Sequence, residues 1–470
     1  MEIAEKEESF LEWLRTKGAK VDLIEIKKDP NGENGVYAKK KISPNEVTFS
    51  VPQELVIDSE ISRALLPFDS MGLPDIVAQI AYIVHLKFDS DKITNTKWLP
   101  YIRILPEKFS TIGFFTEAEL KLLKGTPIEQ SAIEKISLVK NMYNQLVEKL
   151  KQTGYSEKEY TWDKFLWGYS VYASRSFTKR LLDLKFDGPV SEVLVPLFDM
   201  VNHKPKTKVT WENSNNNLNF TPGTEYNVGE EIFNNYGPKS NEELLMGYGF
   251  CIENNPFDYL RVKLNYEKDP LVAEKKMWFL NEKFGLNKLD LFITKLESFS
   301  NDLIFKILRV MVMNNNETFL CHSAFTDLDK DLGFISYRNE LLMINTFEKL
   351  LYNLKNKIEA HVDIPDHKTY NVVNVLVYRE DSYKFFVLQN LEFNSLLEKY
   401  NICEKLYSGG VPEDTKDFVE DLSTQVFPIL AKEFPEISRI NGDTEQRLLW
   451  VVGIFDTFYI SDEEEGILLA

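Results

Sequence analysis

The sequence predicts an α+β chain: a β-rich unit interrupted by a helical insertion, then a separate all-helical domain. Three observations carry that reading. Strand texture runs over residues 21–57 and returns at 193–235, a helical period fills about 60–175 between them, and helical spacing dominates after about 264. The expected division is therefore 1–265 and 266–470. With 470 residues, 43% hydrophobic and 27% charged, the chain has material for two or three domains and is neither disordered nor fibrous.

The elements follow in order. Phe10, Trp13 and Leu14 recur at helical spacing after Ser9, which predicts a short amphipathic helix with Ser9 as its N-cap. The runs 21–26, 35–38 and 47–51 read as strands, separated by the turn Asp29-Pro30-Asn31-Gly32. Ile76, Ile80, Ile83 and Val84 share one helix face, and Phe165, Leu166, Tyr169 and Tyr172 share another. Strands are expected again at 193–198 and 209–212, with turns in the asparagine cluster 214–217 and at Asn227-Val228-Gly229. Leu303, Phe305, Ile307, Leu308 and Val312 typify the later helices. A strand-like interlude is expected at 371–378, a loop at 408–412, and a solvated acidic run at 462–465.

Composition narrows the function. Only three cysteines occur, Cys251, Cys321 and Cys403, far apart, so a disulfide framework and CxxC-type zinc sites are excluded and a reducing compartment fits. The acidic N-terminus has no apolar stretch of a signal peptide, and no run of about 18 apolar residues exists to span a membrane. The expected location is cytoplasmic or nuclear. A net charge of −18 repels nucleic acid and anionic lipid and attracts basic proteins, although acidity also serves solubility alone.

Phosphate-loop, HExxH and GxSxG patterns are missing. Gly247-Tyr248-Gly249 lacks the remainder of a dinucleotide fingerprint. His361-Val362-Asp363-Ile364-Pro365-Asp366-His367 has metal-ligand residue types, but its histidine spacing fits no helix face and a proline interrupts it, so it reads as surface. Four blocks carry more. They are Gly32-Glu33-Asn34-Gly35-Val36-Tyr37-Ala38, Ala173-Ser174-Arg175-Ser176-Phe177, Phe198-Asp199-Met200-Val201-Asn202-His203, and Gly229 through Gly237 with Tyr248-Gly249-Phe250 beyond. Singly, each has a plain structural reading: an Asx turn at 199–203, a strand end at Asn235-Tyr236-Gly237, a helix C-terminus complemented by Arg175.

Together and in this order the blocks resemble the SET-domain protein methyltransferases, most of all the Rubisco large-subunit lysine methyltransferase-like subfamily with its fungal ribosomal and elongation-factor members. Trp98-Leu99-Pro100-Tyr101 and Leu105-Pro106 resemble that subfamily's helical insertion, and the helical remainder resembles its substrate-binding domain. The resemblance implies a SET domain whose segments 199–203 and 229–237 thread into a pseudoknot. It implies S-adenosyl-L-methionine contacts at Gly32, Glu33, Asn34, Arg175, Asn202, His203, Tyr236 and Tyr248. Contacts to an acceptor lysine would fall on Arg175, Asp199 and Tyr236, with Tyr236 catalytic. Lys179, where an arginine is expected, and Trp211 depart from the pattern and leave the substrate open. With only Cys251 following the tyrosine closely, no metal is expected.

The implied activity is S-adenosylmethionine-dependent protein-lysine N-methylation of a basic, non-histone protein, with a ribosomal protein or translation elongation factor as first expectation. A monomer without direct nucleic-acid or membrane contact is expected. Some relatives methylate histidine, and an inactive SET fold that binds a basic partner is a third reading, against which the intact Asn202-His203 and Tyr236-Gly237 speak. The residue types suit the chemistry. A free lysine has a pKa of about 10.4, so supplying the neutral amine at pH 7 costs about 4.6 kcal/mol. An apolar, tyrosine-lined channel lowers that cost, and alignment supplies most of the rest. Asn202 and His203 suit adenine and ribose edges, so His203 is expected to bind rather than act as a base.

Overall fold

The structure, a computed structural model, describes residues 2–29, 32–64, 71–88, 96–153, 157–182, 191–264, 270–294, 302–314, 337–359 and 361–408. Cys321, residues 409–412 of the expected loop and the acidic run 462–465 lie outside these residues, as do Pro30 and Asn31.

The chain divides into two compact units. The first comprises Met1–Leu123, Ile128–Asp258 and Val362–Tyr378, and the second comprises Lys124–Pro127, Tyr259–His361 and Arg379–Ala470. The division differs from a single cut at 265, because the segment 362–378 returns to the first unit.

The first unit opens with helix α1 (Glu2–Thr16), which runs through Ser9 rather than starting at it. Phe10 and Leu14 are fully buried, so the expected apolar stripe anchors the helix. Strands β1 (Ile24–Lys28) and β2 (Asn34–Ala38) form an antiparallel pair, in register from Ile24 opposite Ala38 to Lys28 opposite Asn34. A second sheet joins β3 (Phe49–Pro52) to a later hairpin. Between Pro52 and Ser176 the described elements are all helical. They include α2 (Ser59–Ala64), α3 (Asp75–Phe88), α4 (Leu99–Ile104), α5 (Glu117–Lys121), α6 (Ile128–Thr153) and α7 (Trp162–Arg175). Helix α3 is almost wholly buried, in line with the apolar face read from its sequence.

Two short strands, β4 (Ser176–Thr178) and β5 (Glu192–Leu194), pair antiparallel. The expected strand 193–198 ends early, at Leu194, and a 3-10 turn takes residues 198–200. The hairpin β6 (Val209–Ser214) and β7 (Asn217–Pro222) closes through Asn215 and Asn216, both at positive φ (51° and 58°). That is the mirror-image turn whose twist suits a two-residue hairpin, and asparagine tolerates it. Strand β7 also pairs with β3, and Phe49 stacks on Phe220 at 4.7 Å. Strand β8 (Glu231–Ile232) pairs with β2, so the two halves of the β-rich unit join across the insertion. Helix α8 (Asn241–Gly247) starts with a reciprocal capping box between Ser240 and Glu243.

Among its described residues the second unit is helical apart from one strand pair, β9 (Leu260–Lys263) with β10 (Asp290–Ile293). Its helices are α9 (Pro270–Phe284), α10 (Leu303–Met311), α11 (Tyr337–Ile358) and most of α12 (Tyr370–Ser408). Phe305, Phe347 and Phe393 form the centre of its core. The expected strand at 371–378 is instead the first two turns of α12. Val372, Val375 and Tyr378 recur at helical spacing and are buried in the first unit, so packing overrides the β preference of a valine-rich run. Among the described residues no helix is long and apolar enough to cross a membrane, and no three His, Cys, Asp or Glu side chains group as metal ligands.

Candidate active site

The segment that ends β5 turns sharply before it reaches polar residues. Leu197 is fully buried at φ 78°, a left-handed conformation that a bulky side chain adopts only under constraint, at a cost of about 1–3 kcal/mol. Directly after it comes the turn Phe198–Met200, which carries Asp199. The chain then runs beside the segment 231–237. His203 and Asn234 form a parallel bridge, with Asn234 N donating to Asn202 O at 2.7 Å and Lys204 N to Asn234 O at 3.0 Å. The two segments expected to thread together are therefore adjacent strands of backbone.

A cleft of about 370 Å³ opens beside them. It is lined by Glu33 and Asn34 from the β2 edge, Arg175 from the end of α7, Asp199, Asn202 and His203 from the turn, and Tyr236 and Tyr248 beyond β8. Eight of the nine residues singled out in the sequence thus converge. Gly32 is the exception: it makes the turn into β2 at φ 85°, donating to Asp29 O at 3.0 Å, and does not line the cleft.

Three rings form the wall. His203 stacks on Tyr236 at 4.9 Å, and Tyr236 stacks on Tyr248, also at 4.9 Å. The Tyr236 N–H donates to His203 Nδ1 at 3.1 Å, so the neutral ring carries its hydrogen on Nε2. Burial lowers the His203 pKa, partly offset by the Asn234 backbone, and so keeps the ring neutral at pH 7. The Tyr236 hydroxyl donates to Val201 O at 3.1 Å, which leaves its oxygen lone pairs for another donor. Burial holds that phenol well above its ordinary pKa, so it is no base at neutral pH. Gly249 is needed behind Tyr248: at φ 85°, an added Cβ would lie 2.5 Å from the Ser110 carbonyl carbon.

Asp199 differs from expectation. Its side chain is fully enclosed, accepting from Tyr101 Oη at 2.9 Å and facing Arg175 Nη1 at 3.5 Å, while its carbonyl takes Arg175 Nη1 at 2.8 Å. The carboxylate therefore holds Arg175 rather than facing the cleft openly. Burial raises its pKa, with Arg175 and Tyr101 pulling the other way. Lys179 is tied to Glu60 at 2.9 Å and Asp58 at 3.8 Å, and Trp211 packs edge-on against Phe177. Several buried polar atoms of the cleft residues have no partner: Asn34 Oδ1, His203 Nε2, Arg175 Nε and Asp199 Oδ1. Buried polar atoms are normally paired, so this set marks where a polar ligand fits.

Three cleft contributions were not legible in the sequence. Glu231 accepts from Asn202 Nδ2 at 2.8 Å and orients that amide. Tyr101 reaches the site from the insertion, and Tyr370 reaches it from α12. The motif Trp98-Leu99-Pro100-Tyr101 marked the insertion but gave no sign that its tyrosine meets Asp199.

The family model for the SET domain matches residues 33–237. Among curated relatives, a ribosomal lysine N-methyltransferase of Schizosaccharomyces pombe is 30% identical over 294 residues, covering 61% of this chain and 52% of the relative. A protein-lysine N-methyltransferase of Saccharomyces cerevisiae is 26% identical over 456 residues, covering 86% and 74%. An actin-histidine N-methyltransferase of Drosophila melanogaster is 24% identical over 350 residues, covering 69% and 63%. The chain thus spans about half to three quarters of the length of these relatives. Its fold is that of the SET-domain structure of LSMT bound to lysine and AdoHcy, at TM-score 0.70 and 20% identity over 90% of this chain and 100% of that one.

Proposed function

From the premise that residues 33–237 of this chain are a SET domain, we propose that it is an S-adenosylmethionine-dependent protein-lysine N-methyltransferase. The observation that carries the reading is the cleft wall of stacked His203, Tyr236 and Tyr248, with Asn34 Oδ1 and His203 Nε2 buried and unpartnered beside it. An acceptor and a donor set against aromatic rings fit the edge of an adenosine. Glu33, Asn34, Asn202 and His203 would hold that end, and Arg175 would meet a carboxylate.

S-adenosylmethionine supplies, when bound, a methyl group on a sulfonium. The acceptor nitrogen must arrive uncharged and in line. Tyr236 serves both needs: its ring and that of Tyr248 make an apolar channel that disfavours an ammonium, and its hydroxyl oxygen accepts from the incoming amine. Val201 O fixes that hydroxyl, so alignment is set before the acceptor enters. Because Tyr236 stays protonated, the amine loses its proton to solvent before transfer. With the cofactor held by Asn34, Arg175, Asn202 and His203, transfer would form the N–C bond as the S–C bond breaks, leaving the thioether behind.

The acceptor protein proposed is basic, a ribosomal protein or a translation elongation factor, matching the charge of −18, and the relatives named as ribosomal lysine N-methyltransferases favour the ribosomal protein. A cytoplasmic or nuclear location and a monomeric state go with that proposal, and the second unit is assigned to recognition of the substrate. The histidine-methylating relative supports a second acceptor. The test is incubation of the purified chain with methyl-labelled S-adenosylmethionine and host lysate, followed by mass spectrometry. Label on lysine is expected. Label on histidine would favour the second acceptor, and no transfer by folded protein would defeat the methyltransferase reading.

A further inference from the structure

Tyr370 lies far downstream of residue 237, where the SET domain ends, yet its side chain lines the same cleft as Asn34, His203 and Tyr248. It is 41% exposed, a large aromatic face left to water at the wall of a binding cleft. A latch places it there. Asn374 Oδ1 accepts from the backbone N–H of Cys251 at 2.7 Å, and Asn374 Nδ2 donates to Tyr370 O at 2.9 Å. Thr369 Oγ1 donates to Glu119 at 2.8 Å, and Val372, Val375 and Tyr378 are buried against Ile112, Leu123 and Leu245. Cys251 directly follows Tyr248-Gly249-Phe250, so the latch grips the ring-bearing wall itself.

We propose that Tyr370 is a cofactor-contacting residue whose ring covers the nucleoside end of S-adenosylmethionine; the proposal rests on the methyltransferase reading above. The neighbours of Tyr370 decide the end. Asp29 and Glu33 line the cleft with it, and partial burial together with their charges holds its phenol above the ordinary value against the opposing Asn374 amide. Glu33 and Asn34, assigned above to the adenosine end, line the cleft together with Tyr370, whereas the Tyr236 hydroxyl that aligns the acceptor amine is tied to Val201 O. A purine presents a flat face to a tyrosine ring; a lysine chain does not. The cofactor site is then completed by a segment that returns after the intervening part of the second unit, and residues 1–265 do not contain all of it.

The test is calorimetric titration of the full chain with S-adenosylmethionine. Tyr370→Ala is expected to weaken binding about 5- to 150-fold, the range of one lost stacking contact. Tyr370→Phe keeps the ring and is expected to bind within about twofold of wild type on the same grounds. Asn374→Ala, which loosens the latch, is expected to weaken binding in the same direction. A Tyr370→Ala protein with wild-type thermal unfolding and unchanged cofactor affinity overturns the proposal. So does a change confined to the KM of the acceptor protein, which would put Tyr370 on the other side of the cleft. If the wild-type chain binds no S-adenosylmethionine, the methyltransferase reading falls and this proposal with it.

Discussion

The hydroxyl of Tyr101 donates a 2.9 Å hydrogen bond to Asp199, whose carboxylate has no exposure to solvent. Through that bond the helical insertion reaches the floor of the cleft, because Asp199 in turn holds Arg175 by carbonyl and carboxylate. Tyr101→Phe leaves a buried charge with one donor fewer, at a cost of about 1–3 kcal/mol. Thermal unfolding of the variant is expected at lower temperature, and kcat/KM is expected to fall as Arg175 loses its brace. Wild-type melting together with wild-type kinetics would show that the bond is idle.

Asn202 turns its amide onto Glu231 at 2.8 Å and sits beside the cleft with His203. Removing the amide in Asn202→Ala is expected to weaken S-adenosylmethionine binding by about 1–3 kcal/mol, because a ligand polar group loses its partner. Calorimetry on a folded variant with unchanged affinity would take Asn202 off the binding list.

His203 links the site to pH. Burial lowers its pKa in the folded chain, so the unfolded chain takes up the proton first as pH falls. Its contribution to stability is therefore complete above the unfolded value of about 6.5 and is lost progressively below it. Protonation also removes the Nδ1 acceptor used by the Tyr236 N–H. Melting temperature is expected to drop between pH 7.5 and 5.5 by more in wild type than in His203→Gln. Parallel pH profiles for the two proteins would mean that His203 does not titrate in that window.

A fragment of residues 1–265 lacks Val372, Val375 and Tyr378, which cover Ile112, Leu123 and Leu245. Its exposed apolar face is expected to drive association, and its affinity for S-adenosylmethionine is expected to be below that of the full chain. A monomeric fragment with full affinity, by light scattering and calorimetry, would contradict this.

Local features were legible because local chemistry determines them. The β1–β2 pair, the Asn215-Asn216 hairpin turn and the four motif blocks all stand in the sequence, and the blocks converge on the cleft. Long-range relations were not. The valines of 371–378 carry a strand preference, yet their burial at helical spacing against Ile112 and Leu245 sets the helix. Ser9 looked like a cap, but the helix already begins at Glu2. Nothing near Tyr101 signals Asp199, 98 positions away, and nothing near Tyr370 signals the wall at Cys251, because each contact forms only once separate elements pack.

Tyr236 bears the most weight, and Tyr236→Phe isolates its hydroxyl while keeping the stacked ring between His203 and Tyr248. The decisive measurement is methyl transfer to the acceptor protein by this variant, with melting temperature and S-adenosylmethionine affinity matched to wild type. If the hydroxyl aligns the acceptor amine, turnover falls about 10- to 1,000-fold with cofactor affinity little changed. A folded Tyr236→Phe protein that binds S-adenosylmethionine normally and methylates at the full wild-type rate would contradict that role.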